Sequence, residues 1–448
     1  MTLAGGCGCR SGARQDGAFS PGHSGEPMSR IGWHDLRREP FRLLFPLGLV
    51  FGCLGVSHWL WYALGWAASS RFYHASIQIG AYMVCFIAGF LWTAMPRMTA
   101  TRPATSFEMV ALLALLAAQT LFLAVNYTVA AQVCFAALLI LLASFAIRRR
   151  GQRSPSGVGS PVEFMWVPVG VLFGVVGSGL AASGQAGLIP SWWIAVGRPM
   201  AQQGFVLAVV LGVGGFMGPR LLGRGFEWAA TAIDPARARH IRRGRIRAHA
   251  VAAALIAASF FIEGAGYIAP AYLLRAVVVS TELWWSAQLH RPPAIQDAYV
   301  RLLWVSLWMV AIGFWAAGCW PRYRIAMLHF VFIGGFSLMT FAVGTMVVMS
   351  HSGQAQALRR PLWVLNVVAV GIAGATAMRV LADLWPMVYF PSLGMAASLW
   401  LIAAVSWLIF ISPRILRKVP EGTFERLHEQ AKHQVLRPEP GNPPSSTC

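Results

Sequence analysis

Three histidines, His58, His74 and His329, stand inside long apolar stretches, where an imidazole is costly unless it meets a partner, a cavity or a metal. His74 and Gln78 are four residues apart and would share one helical face. His329 and His351 are twenty-two apart, about 33 Å along a helix axis, so they cannot hold one metal ion together. Two imidazoles from different helices, brought to one depth, suit the axial positions of a haem iron, with arginines beside them to neutralise propionates. His351 ends a run holding Met339, Met346 and Met349, and Met95 and Met98 end another. Imidazole with thioethers suits Cu(I); methionine also fills gaps between helices with no ligand role.

Positioning these groups falls to the elements around them. With 448 residues, 57% hydrophobic and 12% charged, and a mean hydropathy of +0.58, the chain has the composition of an all-α polytopic membrane protein in a lipid bilayer. Spans of about 20 apolar residues fall at 43–66, 72–96, 107–125, 129–147, 164–182, 198–218, 248–264, 267–289, 301–319, 325–350, 361–382 and 393–412. These twelve helices form a membrane domain over 43–412, between a leader at 1–42 and a basic, proline-rich tail at 413–448. None shows the alternation of a barrel strand. With a cytoplasmic N-terminus, thirty of the 36 Lys and Arg lie on the cytoplasmic side and four, Arg71, Arg198, Arg322 and Arg324, on the other. That bias puts both termini on the cytoplasmic side.

The same topology sorts the polar residues by depth. His58, His74 and His329 fall in one outer layer with Gln202, Gln203, Glu263, Arg379 and Asp383, and Arg275 lies somewhat deeper. Each histidine taken singly is read as well by a hydrogen-bonded core role; their shared depth argues for a joint one. Glu282 in the eighth span is open to a paired structural role or a proton-carrying one. Three spans close on a proline and an arginine, at Pro96-Arg97, Pro219-Arg220 and Pro413-Arg414, a helix stop followed by a side chain reaching for headgroups. The likeness of the second and sixth spans hints at internal repetition.

Other chemistries are excluded or unsupported. Seven scattered cysteines make neither a disulfide framework nor a zinc pattern, and Cys7-Gly-Cys9 lies in a leader whose start is open between Met1 and Met28. The basic segment 234–247 reads as an anchor on anionic headgroups; no nucleic-acid partner is expected. Phosphate-binding loops, kinase signatures, H-E-x-x-H and G-x-S-x-G are absent from the sequence.

Two segments together resemble the NnrS family, membrane proteins containing haem and copper and associated with bacterial nitric-oxide stress. They are His74-A-S-I-Q-I-G-A-Y-M-V-C-F-I-A-G-F-L-W-T-A-M-P-R-M-Thr99 and His329-F-V-F-I-G-G-F-S-L-M-T-F-A-V-G-T-M-V-V-M-S-H-S-G-Gln354. Pro40-Phe41-Arg42 and the twelve-helix layout agree. The resemblance implies haem, and copper, in a protein of the bacterial inner membrane, with His74, His329 and His351 as ligands by motif position. Depth and helical face add Gln78, Arg379 and Arg275 as candidate cofactor contacts, and residue chemistry adds Met95 and Met98 beside His351 as candidate copper ligands. Where the family often carries a second histidine, Ser76 stands here, and Ala100 stands in place of an expected glycine. The expected function is a haem protein, with copper a further possibility, in the nitric-oxide response or denitrification, meeting a diatomic ligand such as nitric oxide and respiratory or denitrification proteins. No turnover is implied. Two other readings stay open: a secondary transporter or channel using the same polar layer, and an assembly scaffold for a respiratory complex. A haem-copper oxidase is disfavoured, since the membrane histidines are too few for two haems and a copper.

Overall fold

The computed structural model describes residues 31–68, 70–150, 161–223 and 235–417. The outer parts of the leader and tail, with Cys7, Cys9 and Met28, lie outside the described residues. Helices account for the membrane domain, and no strand occurs among the described residues. After a short helix at Trp33–Arg38 come α1 (Phe41–Ala63), α2 (Arg71–Thr99), α3 (Ser106–Ala124), α4 (Thr128–Arg150), α5 (Val162–Gln185) and α6 (Trp192–Leu221). Then follow α7 (Pro235–Gly264), α8 (Ile268–Trp285), α9 (Ala298–Cys319), α10 (Pro321–His351), α11 (Trp363–Leu384) and α12 (Pro386–Ile415).

Eleven of these are long and apolar enough to cross a membrane, making this a multi-pass membrane protein. The remaining one, α8, has the length but not the apolarity. Inside it are Arg275 and Glu282, 0% and 4% exposed, a burial open to charged groups only when they are paired. The basic segment is continuous with the seventh span, in the single helix Pro235–Gly264. The three prolines do not stop their helices, which run on to Thr99, Leu221 and Ile415. A proline surrenders its own N–H, but its carbonyl still accepts; Pro96 O takes the N–H of Ala100, and there the left-handed turn of Ala100 (φ 51°) ends the helix.

Packing resolves the chain into three units of four helices. In the first, α1 packs on α2, α2 on α3 and α4, and α3 on α4; the same neighbours recur in α5–α8 and α9–α12. Each unit's last helix packs on the first of the next, and α12 packs on α1, closing a ring. The second helix of each unit is the central one. In α2, α6 and α10 the most apolar stretch is 72%, 72% and 67% buried, whereas no other qualifying helix exceeds 56%. Each of these three, alone among the described helices, contains a π-helical segment, at Gln78–Met83, Met200–Gly204 and Phe330–Ser337. Such segments are rare and favour functional sites, because widening the turn frees backbone carbonyls. The hairpins α3–α4 and α7–α8 also match bond for bond: Asn126 and Gly266 both adopt positive φ, and five backbone hydrogen bonds recur around each. The likeness between the ends of α2 and α6 therefore marks equivalent helices. The Pro413-Arg414 ending does not, since α12 is the counterpart of α4 and α8.

Candidate cofactor site

The histidines divide between two ends of the bundle. At one end α2 and α10 begin, carrying His74 and His329 just ahead of their π segments. His74 Nδ1 lies 2.9 Å from Gly55 O on α1, and His329 Nδ1 lies 2.6 Å from Ile325 O on its own helix. A carbonyl accepts only, so each Nδ1 must be the protonated nitrogen. Each Nε2 then carries a lone pair, and among the described residues no hydrogen bond reaches it. An imidazole fixed through Nδ1 to a carbonyl, with Nε2 open, is the tautomer and orientation that metal-bound histidines use. Both rings are half-buried. The charge of Arg379 acts on both rings. Arg379 Nη1 is 2.9 Å from Asp383 Oδ1, one turn along α11.

Aromatic rings wall this end. Trp59 meets His74 edge-on with centroids 5.5 Å apart, and Tyr73 lies 5.4 Å from the His58 ring. His58 itself is engaged: its Nε2 accepts the Ser70 N–H at 3.0 Å, which pins the start of α2 to α1. Gln78 has a similar structural task, its Nε2 donating to Gly52 O at 2.8 Å. Gly55 allows that approach, since a Cβ there would lie 2.6 Å from Gln78 Nε2.

Arg275 is elsewhere, between α6, α7 and α8. Its Nη1 donates to Gln203 Oε1 at 2.6 Å, its Nη2 to Glu263 Oε2 at 2.9 Å and its Nε to Ser259 Oγ at 3.0 Å. Tyr272 joins Gln203 and Glu263 in the same network. The guanidinium also stacks on Phe260. This cluster of matched charges and hydrogen bonds leaves Arg275 committed within its own unit. Toward the other end of α8, Glu282 Oε2 lies 2.8 Å from His249 Nδ1, both buried.

His351 sits at the far end of α10 from His329. Its Nδ1 is 2.9 Å from both Glu39 Oε1 and Arg97 Nη1. One ring nitrogen can donate to the carboxylate or accept from the guanidinium, never both, so the ring's proton decides which bond forms. Glu39 also pairs with Arg42 and Arg97, and Arg42 reaches Ile415 O and Arg417 O. The residues before α1 are thereby clasped to the ends of α2, α10 and α12. Met95 is half-buried on α2 and Met98 is 52% exposed. Among the described residues no group of three or more His, Cys, Asp or Glu could hold a metal ion.

Positions 74 and 76 face apart. His74 turns to α1, while Ser76 lines a small cavity with Gln119, Gln132 and Gln202 on α3, α4 and α6. Two residues on a helix are separated by about 200°, so these positions cannot serve one ion. Sequence reasoning found the histidines but missed what prepares them, namely Gly55 and Ile325 offering carbonyls. Nor did it find the clasp, because Glu39 is remote in sequence from Arg97 and His351.

No curated protein matches the chain. The family model described as NnrS protein matches residues 35–418, which takes in all three four-helix units and the clasp. The chain belongs to the NnrS family.

Proposed function

We propose that this NnrS-family chain is a haem protein of the bacterial inner membrane, with both termini cytoplasmic, acting in the nitric-oxide response or denitrification. His74 and His329 would hold the iron through Nε2. The observation that carries this reading is the matched state of the two rings: each has Nδ1 tied to a carbonyl, at 2.9 and 2.6 Å, on the central helices of the first and third units. Arg379, whose charge acts on both rings, would face a propionate, whereas Arg275 is engaged by Glu263, Gln203 and Ser259 in another unit. Trp59 and Tyr73 keep the site apolar and limit water. When bound, haem supplies one-electron chemistry. If His74 and His329 both held the group, it would be suited to relaying electrons rather than to capturing a diatomic ligand directly. This reading rests on the histidine pair alone and makes no use of His351, Met95 or Met98.

An absorption spectrum of protein purified from haem-replete cells tests the reading. A Soret band is expected, and it should be lost or shifted to a five-coordinate form in His74→Ala and in His329→Ala. No haem at any occupancy, or a band indifferent to both substitutions, would refute it. The buried Arg275 network favours a second reading, a transporter whose polar site lies among α6, α7 and α8. A haem-free protein in which Arg275→Gln abolishes solute flux would establish that one instead.

A further inference from the structure

Between the first and second units lies a cavity of about 10 Å³, walled by α2, α3, α4 and α6. That is about the room needed for the centre of one water molecule. Its polar lining is Ser76, Gln119, Gln132 and Gln202. Gln119 is 2% exposed; its Nε2 donates to Ser76 O at 3.5 Å, a carbonyl at the edge of the π segment, while its Oε1 has no hydrogen-bond partner. The amide's room comes from Gly80 in that segment, where a Cβ would lie 2.0 Å from Gln119 Nε2. A buried amide oxygen left without a donor is costly, so a cavity beside it, lined by other amides and a hydroxyl, is a place for a donor to sit. One turn from Gln202 on α6 stands Arg198. Its guanidinium lies 5.2 Å from the centre of the Phe72 ring, another lining residue, and its Nε is unpartnered.

The chemistry of the wall selects its occupant. The lining carries no charge, so no ion is compensated there. The open position is an acceptor, so a molecule without hydrogen to donate, such as nitric oxide, gains nothing. The volume admits one heavy atom, and a guanidinium beside the lining repels cations, as fixed arginines do in neutral-solute pores. We propose that this cavity binds one neutral hydrogen-bond donor of water's size, water or ammonia, which donates to Gln119 Oε1. The site stands apart from the histidine pair, since His74 turns to α1 and Ser76 to the cavity, and it does not depend on the haem reading.

A high-resolution cryo-electron microscopy map of the full protein in nanodiscs, with thermal unfolding of Gln119→Met, tests this. The expected result is density at hydrogen-bonding distance from Gln119 Oε1, absent in Q119M, and a Tm lowered by about 2–4 °C because a bound donor has lost its acceptor. Ammonium chloride at alkaline pH separates the two occupants. A rise in wild-type Tm that Q119M lacks assigns ammonia, and density with no such rise assigns water. An empty cavity, together with a Q119M protein as stable as wild type or more so, overturns the proposal, since removing an orphan acceptor from a dry site is neutral or stabilising. Should Q119M fail to fold, the wild-type map decides alone: density supports the site and its absence overturns it.

Discussion

Neutralising Glu39 should loosen the end of the bundle where the chain's two described ends meet. Glu39 precedes α1 and lies outside the spans; burial pushes its carboxyl up, but the His351 hydrogen bond and charge, with Arg42 and Arg97, outweigh this and hold it at about 2, against an ordinary 4.5. A carboxyl held roughly 2.5 pH units low corresponds to about 3 kcal/mol at 1.36 kcal/mol per unit. The carboxylate is 15% and Arg97 31% exposed, so solvent screening brings the figure to about 2 kcal/mol. Because the folded value is depressed, this stability is fully present above pH 4.5 and is lost as pH falls toward 2. Glu39→Gln should therefore unfold roughly 2–5 °C below wild type at neutral pH, and the gap should shrink as both proteins are acidified below pH 4.5. Scanning fluorimetry in detergent across that range is sufficient. Equal melting temperatures at neutral pH, or a gap that persists undiminished at pH 3, would refute the argument that the clasp is electrostatic.

Other outcomes follow from single positions. Ala100→Gly should raise stability by up to about 1 kcal/mol, read as a higher Tm, because φ is 51° there and a side chain is disfavoured in that conformation. Glu108→Ala should cost about 3–5 kcal/mol and sharply reduce folded protein on size exclusion, since it leaves Arg149, 3% exposed, without its carboxylate. Gly197→Ala should separate α5 from α6, because a Cβ there would lie 2.4 Å from Gly177 O; Gly214→Ala, whose Cβ would meet only Leu307 at 3.8 Å, is the tolerated control. Folded yields of the two variants should differ severalfold.

Apolar length and charge asymmetry made the helices legible in the sequence, since a span must satisfy its own backbone and hide its own polarity. The same reasoning put His74 and His329 in one outer layer, and the structure sets each of them ahead of a π segment. What the one-dimensional chain concealed was the unit of repetition. A motif can be compared by eye only where side chains recur, and Pro-Arg endings recur on α2, α6 and α12, which mixes one non-equivalent helix with two equivalent ones. The repeat is carried by backbone: π segments near the starts of α2, α6 and α10, and hairpins whose turns use Asn126 in one unit and Gly266 in the next. Those residues share a positive φ rather than an identity, and a π segment has no residue signature. The proline stops failed for a related reason, because the ending of α2 is set by the left-handed Ala100, three residues after Arg97. That also explains why a glycine is expected at position 100. The conformation belongs to the helix end, and the chain here occupies it with a residue that fits less well. The chemistry follows the same division. Residue types singled out the two histidines, but only the fold shows that the Gly55 and Ile325 carbonyls set the tautomers that leave both Nε2 atoms available. Likewise, only the fold turns position 76 away from position 74, so a histidine placed at 76 would address the amide-lined cavity rather than the face that His74 occupies.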